Sequence, residues 1–164
     1  PRALHDIWYQ TYDFLTSSAS QILDLLWLGN ALNAADVAFM RRVPIQAVVN
    51  LSAEVPNVFE KEILYCTCHS RDIIGCTLPL SWISRFIHAQ LTRGRAVLVH
   101  CFIGRSRSVA AVCHYLMTHR GHSFEEAYEH VSRRRPMACI NADLARQLRE
   151  NEDSRPQALT GSCT

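Results

Sequence analysis

A short run rich in valine and leucine, Ala96–His100 (AVLVH), leads directly into Cys101-Phe102-Ile103-Gly104-Arg105-Ser106-Arg107-Ser108. Beyond that segment the periodicity changes. Val109, Val112, Cys113, Leu116 and Met117 recur at the i, i+3, i+4, i+7 spacing of a helix that Gly121 terminates. A buried strand, a tight loop and an amphipathic helix in direct succession are a building block of α/β domains. Few other architectures accommodate that order.

The rest of the chain continues the alternation. Strands are expected at Leu25–Leu28, stopped by Gly29-Asn30, at Ala47–Leu51 and at Ile63–Cys68. A helix over 34–42, capped by Asn33 and ended near Pro44, separates the first two. Another, over 81–93, carries Trp82, Ile83, Phe86, Ile87 and Leu91 on one face and ends at Gly94. Ser123 and Glu126 form a capping box for a helix with Phe124, Ala127, Tyr128 and Val131 inward, which Pro136 breaks. Asn141 caps a last helix carrying Leu144 and Leu148. Ile7, Trp8, Tyr12 and Phe14 are expected to pack as a short helix in the mixed first 20 residues, and 151–164 read as a loose polar tail. The expected fold is therefore a single α/β domain with a central, largely parallel sheet flanked by helices. Such sheets bind ligands beyond the carboxyl ends of their strands, which is where the segment 101–108 falls.

Composition narrows the function classes. At 164 residues and 48% hydrophobic, the chain fits one compact domain with a real core. With 20% charged residues and a formal net charge of +2, nothing in the overall balance calls for nucleic acid or an anionic membrane. No run reaches membrane-spanning length, no signal-peptide pattern opens the chain, and Pro1 suggests an excised domain. Seven cysteines, mostly in apolar runs, read as reduced thiols of an intracellular protein, cytoplasmic and/or nuclear. There is no internal repeat and no low-complexity stretch.

The segment after the strand carries the chemistry. Cys101 ends the strand, and Arg107 stands six positions on, at the start of the helix. The residues between can wrap with their N–H groups inward, Gly104 permitting an unusual turn. Such a nest at a helix N-terminus is an anion site, and its field favours a thiolate at Cys101. A thiolate beside a phosphate cradle is a nucleophile aimed at phosphorus. Arg107 can grip two phosphate oxygens at once and stabilise the charge of phosphoryl transfer. The plainer alternative is a packed cysteine followed by a basic helix start. Positive charge is unfavourable at a helix N-terminus, however, so two arginines there require an anion.

HCFIGRSRS resembles the His-Cys-x5-Arg-Ser signature of the cysteine-dependent protein tyrosine phosphatases, in the HCxxGxSRS form of the dual-specificity phosphatases. LLWLGNALNAAD is similar to that family's opening strand and helix, VLVHC to its strand before the nucleophile, and SFEEAYEHVSRRRP to its penultimate helix and following Arg-Pro. The resemblance covers roughly residues 21–150. It implies a phosphatase domain there, an N-terminal extension over 1–20 and a flexible tail over 151–164. No tyrosine-recognition loop of the larger tyrosine-specific class is found. The resemblance therefore implies a shallow pocket that accepts phosphoserine, phosphothreonine and phosphotyrosine. It further implies that Cys101 forms a phosphocysteine intermediate, that Arg107 binds phosphate, and that the N–H groups of Phe102, Ile103, Gly104, Arg105, Ser106 and Arg107 form the cradle. Ser108 would hydrogen-bond the departing thiolate, and His100 would order the loop. No metal or cofactor is implied. The partner is a phosphoprotein substrate, with a kinase among the candidates. Nucleic acid and membrane are not expected, and the oligomeric state is open.

The family also needs an acid, usually an Asp on an earlier loop, to protonate the leaving oxygen. Asp72 is the only carboxylate between Glu62 and Cys101. Its separation from Cys101, 29 positions, is slightly short for the family, and His69 or Ser70 falls nearer the usual place. Asp72 is therefore either that acid or a solvated loop charge. Ile103 replaces a small residue and Arg105 an apolar one. Arg105 is either solvated or a contact for a second negative group on the substrate. Cys66-x-Cys68-His69 is half of a metal motif without a second half. Cys66, Cys68 and Cys76 read as apolar packing or as partners for a protective disulfide. Beside an active protein phosphatase, two alternatives stay open: a phosphate-binding pseudophosphatase, and a phosphatase for lipid, nucleotide or RNA phosphates.

Overall fold

A computed structural model describes residues 11–154 apart from residue 13. Five strands form one sheet: β1 (Ser20–Leu23), β2 (Leu26–Gly29), β3 (Ile45–Asn50), β4 (Leu64–Thr67) and β5 (Ala96–His100). Their order is β1-β2-β5-β3-β4. β1 runs antiparallel to β2, and every other pairing is parallel. β5 lies at the centre, with Val97, Leu98 and Val99 wholly buried and paired to β2 on one side and β3 on the other.

Strand alternation decides which side chain of β5 meets which layer. Val97, Val99 and Cys101 join the larger core, with Leu26, Leu28 and Val49 of neighbouring strands. Over that face lie α3 (Leu80–Leu91), α4 (Arg107–Arg120), α5 (Phe124–Arg134) and α6 (Ala142–Asp153). Ala96 and Leu98 point the other way, into a smaller core with Phe39 and Met40. That face is covered by α1 (Ala31–Ala35) and α2 (Val37–Arg42). Helices on both faces of a mostly parallel sheet give the fold expected from the sequence. Among the described residues, no helix is long and apolar enough to cross a membrane.

Several elements depart from expectation. The leading strand is preceded by β1, four residues of modest apolarity whose pairing partner lies only a Asp24-Leu25 turn away. The segment read as one helix over 34–42 is two. Asn30, not Asn33, caps the first, with Asn33 reciprocating from position N3, and Asp36 caps the second by accepting from Ala38 and Phe39 N–H. A second good cap within nine residues splits the helix. In α3 the buried face is Leu80, Ile83, Ser84, Ile87 and Gln90, while Trp82 is 45% exposed. That helix closes at Thr92, two residues before Gly94. The capping box of Ser123 and Glu126 and the cap of Asn141 are as expected. α6 runs to Asp153, into the stretch read as tail. Residues 14–16 are helical, while Ile7 and Trp8 lie outside the described residues.

Candidate active site

The carboxyl ends of β2, β3, β4 and β5 share one edge of the sheet, so the loops after Gly29, Asn50, Thr67 and His100 converge there. The loop 101–106 sits among them and feeds α4. Its carbonyls are held from outside. Phe102 O accepts from Ala31 N–H at 3.0 Å, Gly104 O from Arg135 Nε at 2.6 Å and Arg105 O from Cys139 N–H at 2.8 Å. In a planar trans peptide the N–H points opposite to the preceding C=O. The amides of Ile103, Arg105 and Ser106 are thereby turned toward the loop's interior. Gly104 N–H also faces inward, donating to Cys101 Sγ at 3.3 Å. Ser106, at the N-cap of α4, makes no side-chain cap; its hydroxyl instead accepts from Asn141 N–H at 3.1 Å. The first-turn donors of α4 are thus left to the site.

Gly104 is required by this geometry. Its φ is +79°, and an added Cβ would lie 2.5 Å from the Gly29 carbonyl oxygen, a backbone atom that cannot swing aside. Arg135 braces the same place. It is 1% exposed, and besides Gly104 O it donates through Nη1 to Ser18 O and Ser20 Oγ. Sequence reasoning gave Arg135 no role beyond its Arg-Pro context.

Cys101 is 1% exposed, with Ser108 Oγ 3.3 Å from its sulfur. His100, buried behind it, has Nδ1 3.3 Å from Cys101 O. Burial pushes the His100 imidazole down to about 4, helped by the Arg107 charge and opposed by the bond to Cys101 O, so the ring is neutral at physiological pH. Phe102 is exposed, Ile103 and Arg105 half-buried, and Ser106, Arg107 and Ser108 buried. Arg105 is not free to solvent: its Nε donates to Met137 O at 3.2 Å.

Arg107 lies almost wholly inside, 3% exposed. Nη1 donates to Leu51 O at 3.0 Å and to Ser70 O, two carbonyls of the converging loops. Glu54 Oε2 stands 3.5 Å from Nη1 and Asp72 Oδ2 3.8 Å from Nε. Nε itself is buried without a hydrogen-bond partner among the described residues. A buried unpaired donor costs about 1–3 kcal/mol, and an oxyanion held by this guanidinium would relieve it. Glu54 is a second residue that sequence reasoning missed. The Ser52 hydroxyl, and behind it the Arg107 charge, holds its carboxyl below the usual range against the opposing effect of burial.

Asp72 is exposed on its loop, with one carboxylate oxygen within ion-pair distance of Arg107. Asn141 Nδ2 donates to its Oδ1 at 2.6 Å. The loop is tied again by Gly75 N–H to Asp143 Oδ2 at 2.8 Å, so the start of α6 fixes where Asp72 stands. His69 is exposed, and Ser70 meets Arg107 through its carbonyl. Of the cysteines leading up to the site, Cys66 and Cys76 are buried in the larger core and Cys68 packs against it. All six described cysteines are free thiols. Burial, with the nearby Cys68, pushes Cys66 up to about 12, which suits packing and not nucleophilic work. Among the described residues, no group of three or more His, Cys, Asp or Glu is placed to hold a metal ion.

A sulfur and inward amides of one loop, followed by a buried guanidinium at the start of its helix, are groups suited to a tetrahedral oxyanion, and a carboxylate lies 3.8 Å from that guanidinium. Residues 26–154 match the family model described as dual specificity phosphatase, catalytic domain. The chain is similar to human protein phosphatase Slingshot homolog 3, 36% identical over 132 residues, covering 79% of this chain and 20% of that protein. It is similar to dual specificity protein phosphatase 1-B of Xenopus laevis, 33% identical over 147 residues, covering 88% and 39% respectively. The crystal structure of human DUSP28 superposes with a TM-score of 0.79 at 29% identity, covering 82% of this chain and 93% of that one. The chain thus spans one fifth of the length of the Slingshot relative.

Proposed function

The chain belongs to the dual specificity phosphatase family, and on that premise we propose that it hydrolyses phosphotyrosine, phosphoserine and phosphothreonine monoesters of proteins through a phosphocysteine intermediate. The observation that carries this reading is the combination of Cys101 Sγ, in contact with Gly104 N–H and Ser108 Oγ, with the buried Arg107 guanidinium, whose Nε has no hydrogen-bond partner among the described residues. In the first step the Cys101 thiolate attacks phosphorus. The P–O bond to the substrate breaks, and the leaving oxygen takes a proton from Asp72. Inward amides and Arg107 bind the equatorial oxygens throughout. In the second step water attacks the phosphocysteine and gives its proton to the Asp72 carboxylate. The S–P bond breaks, and the departing thiolate accepts a hydrogen bond from Ser108 Oγ. Glu54, Leu51 O and Ser70 O hold the guanidinium of Arg107 in place.

The position of Asp72, 3.8 Å from Arg107 Nε, favours an active enzyme over a phosphate-binding pseudophosphatase. The partner is accordingly a phosphoprotein. Replacing Cys101 with Ser tests the reading, because a serine hydroxyl keeps the cavity but supplies no thiolate. Hydrolysis of an aryl phosphate and of phosphotyrosine and phosphothreonine peptides should vanish, while the variant still binds those peptides. Substantial residual turnover would show that Cys101 is not the nucleophile.

A further inference from the structure

We infer that Phe14, which precedes the family-matched region, is a positioning residue of the 101–107 loop and acts through Phe102. This rests on the reading that the loop binds the substrate phosphate. Phe102 is the first residue after Cys101, and its side chain is 41% exposed. Its ring stacks on Phe14, with centroids 5.1 Å apart and planes 16° from parallel. Phe14 is half-buried, and its ring meets the loop.

The backbone behind Phe14 is tied by residues that also hold the loop. Asn30 Nδ2 donates to Phe14 O at 2.8 Å and to Ser17 Oγ at 3.2 Å, and Asn33 Nδ2 donates to Ser17 O at 3.1 Å. Asn30 is followed by Ala31, whose N–H binds Phe102 O. Arg135 donates to Ser18 O through Nη1 and to Gly104 O through Nε. Residues 14–18 and the loop therefore share their supports, and the aromatic stack closes the arrangement on its outer side. The peptide from Phe102 to Ile103 is one whose carbonyl points out and whose N–H points in. Holding the Phe102 ring resists rotation of that peptide, so Phe14 keeps the Ile103 amide aimed at the oxyanion without touching it.

The test compares the wild-type chain with Phe14→Ala, Phe14→Tyr, Phe102→Ala and the double alanine variant. Orthovanadate affinity, kcat and KM for p-nitrophenyl phosphate, and Tm are measured on each. Loss of an aromatic pair corresponds to about 2–10-fold in an equilibrium. Phe14→Ala should weaken vanadate binding by about that factor, within which KM rises more than kcat falls. Phe14→Tyr, which keeps the ring, should restore affinity, and the double variant should bind no worse than Phe102→Ala alone. Wild-type affinity in Phe14→Ala, or losses that simply add in the double variant, overturns the proposal. Should Phe14→Ala fail to fold, Phe14→Leu takes its place: it keeps apolar bulk without the ring, and unchanged affinity in it overturns the proposal equally. A wild-type chain that neither binds vanadate nor turns over the ester overturns the phosphatase reading and this one with it.

Discussion

At Gly104 one hydrogen atom in place of a methyl decides whether the site exists. A Cβ there would stand 2.5 Å from both Gly29 O and Arg135 Nη2. The arginine head could shift, but the strand-end carbonyl could not, and φ would remain at +79°. Gly104→Ala should therefore reorganise the loop instead of merely straining it. The expected result is loss of vanadate binding together with a fall in stability of about 1–3 kcal/mol; wild-type anion affinity would contradict it. The signature residues were legible in the sequence because each answers a local demand: a sulfur at a strand end, a glycine at a turn, an arginine at a helix start. Arg135 and Glu54 were not. Arg135 reaches a carbonyl 31 positions away and Glu54 an arginine more than 50 positions away, and neither contact leaves a local pattern.

Among the elements, the acid-bearing loop illustrates what spacing alone misses. Counted along the chain, Asp72 is slightly near Cys101 for the family. In space the loop is placed by α6, through Asn141 to Asp72 and Asp143 to Gly75 N–H, partners 69 and 68 positions apart. Asn141 was legible as a helix cap, a role it keeps through Oδ1 to Leu144 N–H, but its amide has the second task of holding Asp72. The helices α4, α5 and α6 followed from their apolar stripes and caps. The pair α1 and α2 did not, because two competing caps so close together leave no stripe long enough to read. The proposed proton transfer gives Asp72 a discriminating test. An alkoxide leaving group needs its proton far more than an activated aryl oxide does. Asp72→Asn, which preserves size and the bond to Asn141, should slow phosphothreonine hydrolysis by about 10²–10⁴-fold and an activated aryl ester much less. Full rate on both substrates would make Asp72 a surface charge.

For the molecule as a whole, the buried His100 links the centre of the sheet to pH. It ends β5 between Gly29 of β2 and Asn50 of β3, where no water reaches the ring. Burial lowers its folded-state value to about 4 from the ordinary 6.5. Between those two pH values the unfolded chain binds a proton that the folded chain refuses. Stability is therefore full above the unfolded value and falls as pH drops toward the folded one. A difference of that size corresponds to about 3 kcal/mol, a large share of the stability of a domain this small. Glu54 and Glu126, both held low, also lose stability as pH falls, but they do so whether or not position 100 titrates. The informative quantity is thus the difference between wild type and His100→Asn, each unfolded in urea at pH 7 and again at pH 4.5. The wild type should lose about 2–3 kcal/mol more than the variant over that interval. Parallel losses in the two proteins would mean that His100 takes up its proton in the folded sheet as readily as in the unfolded chain, and that burial does not hold it neutral.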